Sequence, residues 1–185
     1  MPLLGVVFYF SKTPRFIPES LVKAKVFSIT ILTIVLPILL FYLLRTINKV
    51  KTFHLETVKE RRLPLLINSA IIILILMRVL PQDEIPELYF FFMGILISTV
   101  TCFALAIVKF KASIHMIASA GFFMFAMAVA IHFKININGT LALMCIILGA
   151  IATSRLHMKA HTPIELISGC LVGLLPQLIL LNYWM

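Results

Sequence analysis

Long apolar runs alternate with short polar stretches along almost the whole chain. Each run is close to the roughly 20 residues that a helix needs to cross a bilayer. The pattern predicts an all-α, polytopic membrane protein with about six transmembrane helices, at residues 24–44, 63–80, 88–109, 115–133, 136–154 and 164–184. The connections are short, so residues 24–185 are expected to form a single membrane domain.

Residues 1–23 do not fit this pattern. Residues 1–10 are apolar but too short to span a bilayer, and a polar stretch with Lys12 and Arg15 follows them. A secretion signal would carry positive charge before its apolar run, and this sequence has none there. We therefore expect residues 1–23 to form an interfacial segment that lies on the membrane surface.

The composition supports membrane insertion. Hydrophobic residues make up 62% of the 185 positions, whereas soluble domains are about half apolar. The formal net charge is +9, and the basic residues flank the apolar runs. Anionic lipid headgroups, and not nucleic acid, are therefore the expected partners of this charge. Cys102, Cys145 and Cys170 all fall inside apolar runs and are interpreted as small packing residues.

Polar residues are distributed unequally between the two faces of the predicted bundle. With six spans, the first, third and fifth connections open on the same face, and they carry four of the five histidines. The opposite face has mainly the acids Asp83, Glu84 and Glu87. This sorting predicts an active site at one membrane face, with the candidates His54, Lys59, Arg61, Arg62, Ser113, His115, Ser154, Arg155, Lys159, His161 and Glu165.

These residue types suit the chemistry of phosphate esters. Cleavage requires cations on the non-bridging oxygens, a nucleophile, and an acid for the leaving oxygen. Guanidinium groups bind pairs of phosphate oxygens, which favours Arg61 and Arg155 as phosphate ligands. Ser113 and the backbone N–H groups at the start of the fourth span could complete the pocket. No metal-ligand set is evident in the sequence, and no cofactor is expected.

The last polar connection resembles a signature of the type-2 phosphatidic acid phosphatase superfamily. That signature is Ser-Arg, five residues, His, three residues and Asp. Here Ser154-Arg155 is followed by His161 and Glu165 at the same spacing. The Ser113-Ile114-His115 stretch is similar to the family's Pro-Ser-Gly-His motif, of which it keeps the serine and the histidine.

The family's first motif, Lys-x6-Arg-Pro, is matched least well. Six residues separate His54 from Arg61, and Arg62 replaces the proline. Lys59 is the alternative to His54 for the role of the family's lysine. The resemblance covers residues 54–173, and the three motifs occur in the family's order on a common predicted face.

The resemblance implies a role for each candidate. His161 would attack phosphorus and form a phosphohistidine, Glu165 would hold the other imidazole nitrogen, and His115 would protonate the leaving oxygen. The expected phosphate-binding residues are Lys59, Arg61, Ser113 and Arg155, with His54, Arg62, Ser154 and Lys159 as further candidates. The implied activity is hydrolysis of a lipid phosphate or an isoprenyl pyrophosphate within the lipid bilayer.

Other interpretations of the same residues stay open. Residues 162–165 fit a helix N-cap with proline at the first position and a capping-box Glu165, and one side chain could serve both purposes. Arg155 and Lys159 could instead be interfacial anchors. Because the motifs depart from the family pattern, a catalytically silent lipid-phosphate-binding protein is an alternative. A lipid phosphotransferase is another.

The location is expected to be a cell (inner) membrane. Basic residues outside the candidate site divide almost evenly between the two faces, so charge counting does not orient the bundle. Related enzymes usually act on the non-cytoplasmic side, and the resemblance implies that side for the site.

Overall fold

A computed structural model describes residues 1–46 and 58–185, and every regular element in these ranges is helical. The helices are α1 (Pro2–Lys12), α2 (Glu19–Thr30), α3 (Leu36–Thr46), α4 (Val58–Arg78), α5 (Pro86–Ile107), α6 (Ile114–His132), α7 (Asn138–His157) and α8 (Pro163–Leu180). A π-helical turn, Ile31–Val35, joins α2 to α3, and a 3₁₀ turn, Leu181–Tyr183, follows α8.

Within the described ranges, five helices are long and apolar enough to cross a membrane. They are Glu19–Leu43, Pro86–Ile107, Ile114–His132, Asn138–His157 and Pro163–Tyr183. The expectation of an all-α polytopic membrane protein is thus confirmed, but the count of six spans is not. The expected second span lies in α4, whose two ends carry Arg61, Arg62 and Arg78. These charges leave too short an apolar stretch between them.

Helix α1 is a short apolar helix within residues 1–23, the segment expected to be interfacial. It packs against α2, α5 and α6, and its Val6 and Tyr9 side chains are fully buried. Gly5 lies so close to the Phe91 ring that a Cβ there would overlap it. The opposite face of α1, with Leu4 and Val7, is exposed, and the interfacial position of the segment stays a prediction. Its 11 residues span about 16 Å, or half of a hydrocarbon core of about 30 Å.

Helices α6 and α8 run parallel and touch through their backbones. A Cβ at Gly173 would overlap the carbonyl oxygen of Ile117, and a Cβ at Gly169 would lie 2.9 Å from the Ser113 carbonyl oxygen. Small residues permit this close approach, as the sequence pattern Gly169-x3-Gly173 indicates. The close packing places the first turns of the two helices side by side.

The larger apolar core lies in the half of the bundle away from the candidate site. It centres on Phe91, Phe92 and Phe125, with Ile75 and Leu80 from α4 and its following turn. A smaller apolar cluster, which includes Leu65, Cys102, Ala106, Ala112 and Ile117, lies beneath the starts of α4 and α6. The candidate site is therefore supported by a thin apolar layer.

Candidate functional site

The connection between α7 and α8 places a histidine at the start of α8. Lys159 has a left-handed backbone with φ 51°. Its N–H donates to the Leu156 carbonyl at 2.9 Å, and the Ala160 N–H donates to the Arg155 carbonyl at 3.1 Å. This pair of bonds is a Schellman-type helix end. It reverses the chain so that His161 precedes the first turn of α8.

Glu165 joins the cap of α8 to this histidine. The Thr162 N–H donates to Glu165 Oε2 at 3.1 Å, and the Glu165 N–H donates to Thr162 Oγ1 at 3.4 Å, which completes a capping box. His161 Nδ1 lies 2.9 Å from the same Oε2. The two interpretations of Glu165 made from the sequence, helix cap and partner of the histidine, therefore both describe the structure.

The His161 imidazole is held in one tautomer. A carboxylate only accepts hydrogen bonds, so the proton lies on Nδ1, and Nε2 keeps its lone pair. The side chain is 5% exposed. Burial lowers the pKa of His161 below its usual value, the hydrogen bond and charge of Glu165 oppose this, and the charges of Arg61 and Lys111 lower it further. The imidazole is consequently neutral at neutral pH, as a nucleophile must be.

Basic side chains from two other helices lie near this pair or near His115. Arg61, on the first turn of α4, is 9% exposed and donates from Nη1 to the Ala112 carbonyl at 3.3 Å. It is close enough to interact electrostatically with Glu165, His161 and His115. Arg155, in the last turn of α7, also interacts electrostatically with His115.

The start of α6 adds a serine and a second histidine. Ser113 is the N-cap of α6, and its N–H donates to the Glu165 carbonyl at 3.2 Å, which ties the starts of α6 and α8 together. An N-cap serine usually accepts a hydrogen bond from the helix, but Ser113 Oγ does not. His115 lies two residues further on, in the first turn, and its side chain is exposed.

Two buried polar atoms in this group have no hydrogen-bond partner among the described residues: Ser113 Oγ and Arg155 Nε. A buried donor left without an acceptor costs about 1–3 kcal/mol. Ser113 is the N-cap of α6, a position that favours an anion, and Arg155 is close enough to His115, in the first turn of α6, to interact with it electrostatically. Their chemistry fits a bound anion such as phosphate, which accepts hydrogen bonds on several oxygens.

Six of the residues predicted from the sequence are brought together in this way. We name them, with Lys111, the site group: Arg61, Lys111, Ser113, His115, Arg155, His161 and Glu165. Lys111 was not among the candidates, although it stands two residues before Ser113 in the second motif. Its Nζ donates to the Ala160 carbonyl at 3.3 Å, and its charge acts on His161.

Other candidates lie elsewhere. The Arg62 guanidinium caps the end of α5, where it donates to the carbonyl oxygens of Ala106 at 3.1 Å and Ile107 at 3.2 Å. Ser154 Oγ is exposed and lies 3.9 Å from Met158 Sδ, and Lys159 is exposed at the turn after α7. His54 lies outside the described residues. Lys59 is on the first turn of α4, and its side chain lies outside the described part of the structure.

In the residues that the structure describes, no three His, Cys, Asp or Glu side chains lie together as metal ligands would. Glu165 is engaged with His161 and the α8 cap. The site group, with its basic residues, therefore suits an anionic ligand better than a metal cation.

Comparisons of this chain with protein-family models, with curated proteins and with solved structures found no match. The similarity of residues 54–173 to the phosphatase superfamily therefore stays a resemblance of short motifs. The function has to be argued from the geometry of the site group.

Proposed function

We propose that the protein is an integral-membrane phosphatase that hydrolyses a lipid phosphate or lipid pyrophosphate through a phosphohistidine on His161. The observation that carries the proposal is the His161–Glu165 pair, which leaves Nε2 with its lone pair on an imidazole that interacts electrostatically with Arg61 and Lys111. A buried neutral imidazole beside cations is an arrangement for attacking an electrophile that carries negative charge.

The first step transfers the phosphoryl group to the protein. Arg61 and Arg155 hold the non-bridging oxygens, with Lys111 and the start of α6 nearby. The His161 Nε2 lone pair forms a bond to phosphorus while the bond from phosphorus to the lipid oxygen breaks. Protonated His115 gives its proton to that oxygen, and Glu165 stabilises the positive charge that develops on the His161 ring.

The second step returns the protein to its starting state. Neutral His115 removes a proton from a water molecule, whose oxygen attacks phosphorus as the bond between nitrogen and phosphorus breaks. Inorganic phosphate leaves, His161 recovers its Nε2 lone pair, and His115 is again protonated. His115 serves once as acid and once as base, and His161 serves once as nucleophile and once as leaving group.

The position of the site group favours a lipid substrate. Three of its residues, His115, Arg155 and Glu165, lie in the first turns of α6 and α8 or the last turn of α7, at the ends of helices long and apolar enough to cross a membrane. A phosphate at this level can meet the basic residues while its hydrocarbon stays among the helices or in lipid. The resemblance adds that the site faces the non-cytoplasmic side of a cell (inner) membrane.

Phosphate release by purified protein tests this function. We expect hydrolysis of phosphatidic acid or of an isoprenyl pyrophosphate in detergent micelles, and a loss of roughly 10³-fold or more in His161→Ala. His157→Ala is the matched control, because His157 is an exposed histidine in the same part of the chain, at the end of α7. Equal rates in wild type and His161→Ala would refute the assignment.

The product of the reaction separates the rivals. A phosphotransferase would give a new phosphoester and little free phosphate, whereas a binding protein would retain lipid phosphate without turnover. Orientation is tested separately with a membrane-impermeant thiol reagent on single cysteines placed at 109–112 and at 82–84. Labelling of the first position from outside intact cells would agree with the proposed side, and labelling of the second would contradict it.

A further inference from the structure

A cavity of about 230 Å³ lies directly beneath the site group. Its lining includes Leu65, one turn after Arg61 on α4, and Ile114, the residue before His115. Cys102 also lines it and is close enough to Arg61 for an electrostatic interaction. The cavity thus comes within about one helical turn of Arg61 and His115.

The cavity walls are mostly apolar, and of the five hydroxyl or amide side chains that line them, all but Asn68 donate hydrogen bonds to backbone carbonyls. The hydroxyl groups of Thr33, Ser98 and Thr99 donate to the carbonyl oxygens of Ile29, Val172 and Ile95 at 2.7–2.8 Å. The Gln177 amide nitrogen donates to the Phe91 carbonyl at 3.0 Å. Since these hydrogens are committed to backbone carbonyls, the surface left for an occupant is suited to hydrocarbon.

Helix α1 closes the lower end. Met1 and Pro2 line the cavity together with Phe91 on α5 and Phe122 on α6. Gly5 is packed against the Phe91 ring, and Phe8 meets Phe122 edge-on at 5.9 Å between ring centroids. These contacts fix α1 at the lower end of the cavity, part of the way through the bundle. We call this end the α1 floor.

The dimensions suit a single chain. The α5 residues that line the cavity run from Phe91 to Cys102, which is about 16 Å at the helical rise of ~1.5 Å per residue. The volume equals that of roughly eight water molecules in the liquid. This is enough for part of one hydrocarbon chain and too little for two. Ile114, at the rim nearest the site group, is 37% exposed, so a chain can pass there between the cavity and the bilayer.

We propose that this cavity, between the site group and the α1 N-terminus, binds the first part of one apolar chain of the phosphorylated lipid. The inference rests on the proposed function for the identity of the headgroup. We call this cavity the slot. The α1 floor limits its depth, so a short segment of the lipid chain fills it. The rest of a longer chain leaves the cavity at its rim.

Binding of straight-chain alkylphosphonates, from butyl to octadecyl, tests the slot without requiring catalysis. We expect affinity to rise with chain length up to about octyl to dodecyl and then to stay level. Ala118→Phe, one turn below Ile114, should move this break to shorter chains and weaken the best wild-type ligand by about tenfold or more. Phe122→Ala should move the break to longer chains, because it opens the lower end.

Ala104→Phe is the matched control, since Ala104 is an exposed residue of α5 outside the lining, and it should keep the wild-type break. Affinity that rises steadily to octadecyl in every variant, or that is independent of chain length, would contradict the proposal that the cavity binds one apolar chain. So would a lack of phosphonate binding. Phosphate release is measured in parallel. A chain-length break without hydrolysis would contradict the proposed phosphatase activity and support chain binding in the cavity. Hydrolysis without a chain-length break would support the activity and contradict chain binding in the cavity.

Discussion

The two ends of the helix bundle both gather charged side chains, but they arrange them differently. At the end opposite the site group, Arg15 and the buried Lys25 are each paired with an acid. Arg15 Nη1 lies 2.9 Å from Glu87 Oε2, and Lys25 Nζ lies 2.6 Å from Glu84 Oε2. In the site group, the carboxylate of Glu165 faces His161, and Arg155 Nε has no hydrogen-bond partner among the described residues.

The contrast separates charged side chains that are paired within the fold from charged side chains that are available to a ligand. The Arg15–Glu87 and Lys25–Glu84 pairs tie α2 and the residues before it to the start of α5 and the connection that precedes it. The buried Tyr9 hydroxyl lies beside the first pair and interacts with both of its members. In the site group, the buried Nε of Arg155 is a donor whose missing acceptor costs free energy, and a bound phosphate would remove that cost.

Arg155→Ala gives the largest effect that the contrast predicts. We expect kcat/KM for the lipid phosphate to fall by roughly 10²–10³-fold, because a charge that stabilises the transition state is lost. The unfolding temperature should stay the same or rise slightly, since a buried donor without a partner is removed. Arg78→Ala, an exposed arginine at the opposite end, should change neither quantity. Near-wild-type activity in Arg155→Ala would show that this arginine is only an interfacial anchor.

Arg15→Ala should have the converse effect. It leaves the Glu87 carboxylate, 5% exposed, without its partner, and the free energy of unfolding should fall by about 3 kcal/mol. Thermal unfolding in detergent measures the loss, and activity per folded molecule should be unchanged. Lys12→Ala, an exposed neighbour, should cost less than about 0.5 kcal/mol. A loss of activity in Arg15→Ala without a loss of stability would contradict the proposal that charges at this end stabilise the fold and do not bind the ligand.

Lys111→Gln should give the smallest change, in the pH profile. Lys111 helps to lower the pKa of His161, so its removal raises that pKa. Because the nucleophile must be neutral, the acid limb of kcat/KM should then move to higher pH, by less than about one unit. Lys109→Gln, an exposed lysine of the same connection, should leave the limb in place. An acid limb of kcat/KM that stays at the same pH or moves to lower pH in Lys111→Gln would contradict the effect of Lys111 on the pKa of His161.

Much of the site group could be predicted from the sequence, because short connections between spans force helix starts together on one face. His115 and His161 are at the starts of α6 and α8, and the spacing of His161 and Glu165 puts both on one side of a helix start. The two glycines of α8 indicated the close helix packing that brings these starts into contact. The spacing of residues and the topology of the helices were sufficient to predict this part of the site group.

The remaining features depend on tertiary packing that local patterns do not encode. Hydropathy alone does not show that one face of α1 packs against α2, α5 and α6. Arg61 and Arg62 are adjacent in sequence, yet the helical rotation between them sends one to the site group and the other to the end of α5. The slot beneath the site also involves α1, α4, α5, α6 and α8 together, so no single segment of sequence could reveal it.

The most direct measurement is isolation of the covalent intermediate. Wild type, His161→Ala and His157→Ala would be mixed with a radiolabelled lipid phosphate, quenched in alkali, which preserves phosphohistidine, and digested for mass spectrometry. We predict a phosphoryl group on His161 in wild type and in His157→Ala, and none in His161→Ala. Label on another residue, or release of phosphate with His161 never labelled, would contradict the proposal that the His161–Glu165 pair is the catalytic nucleophile.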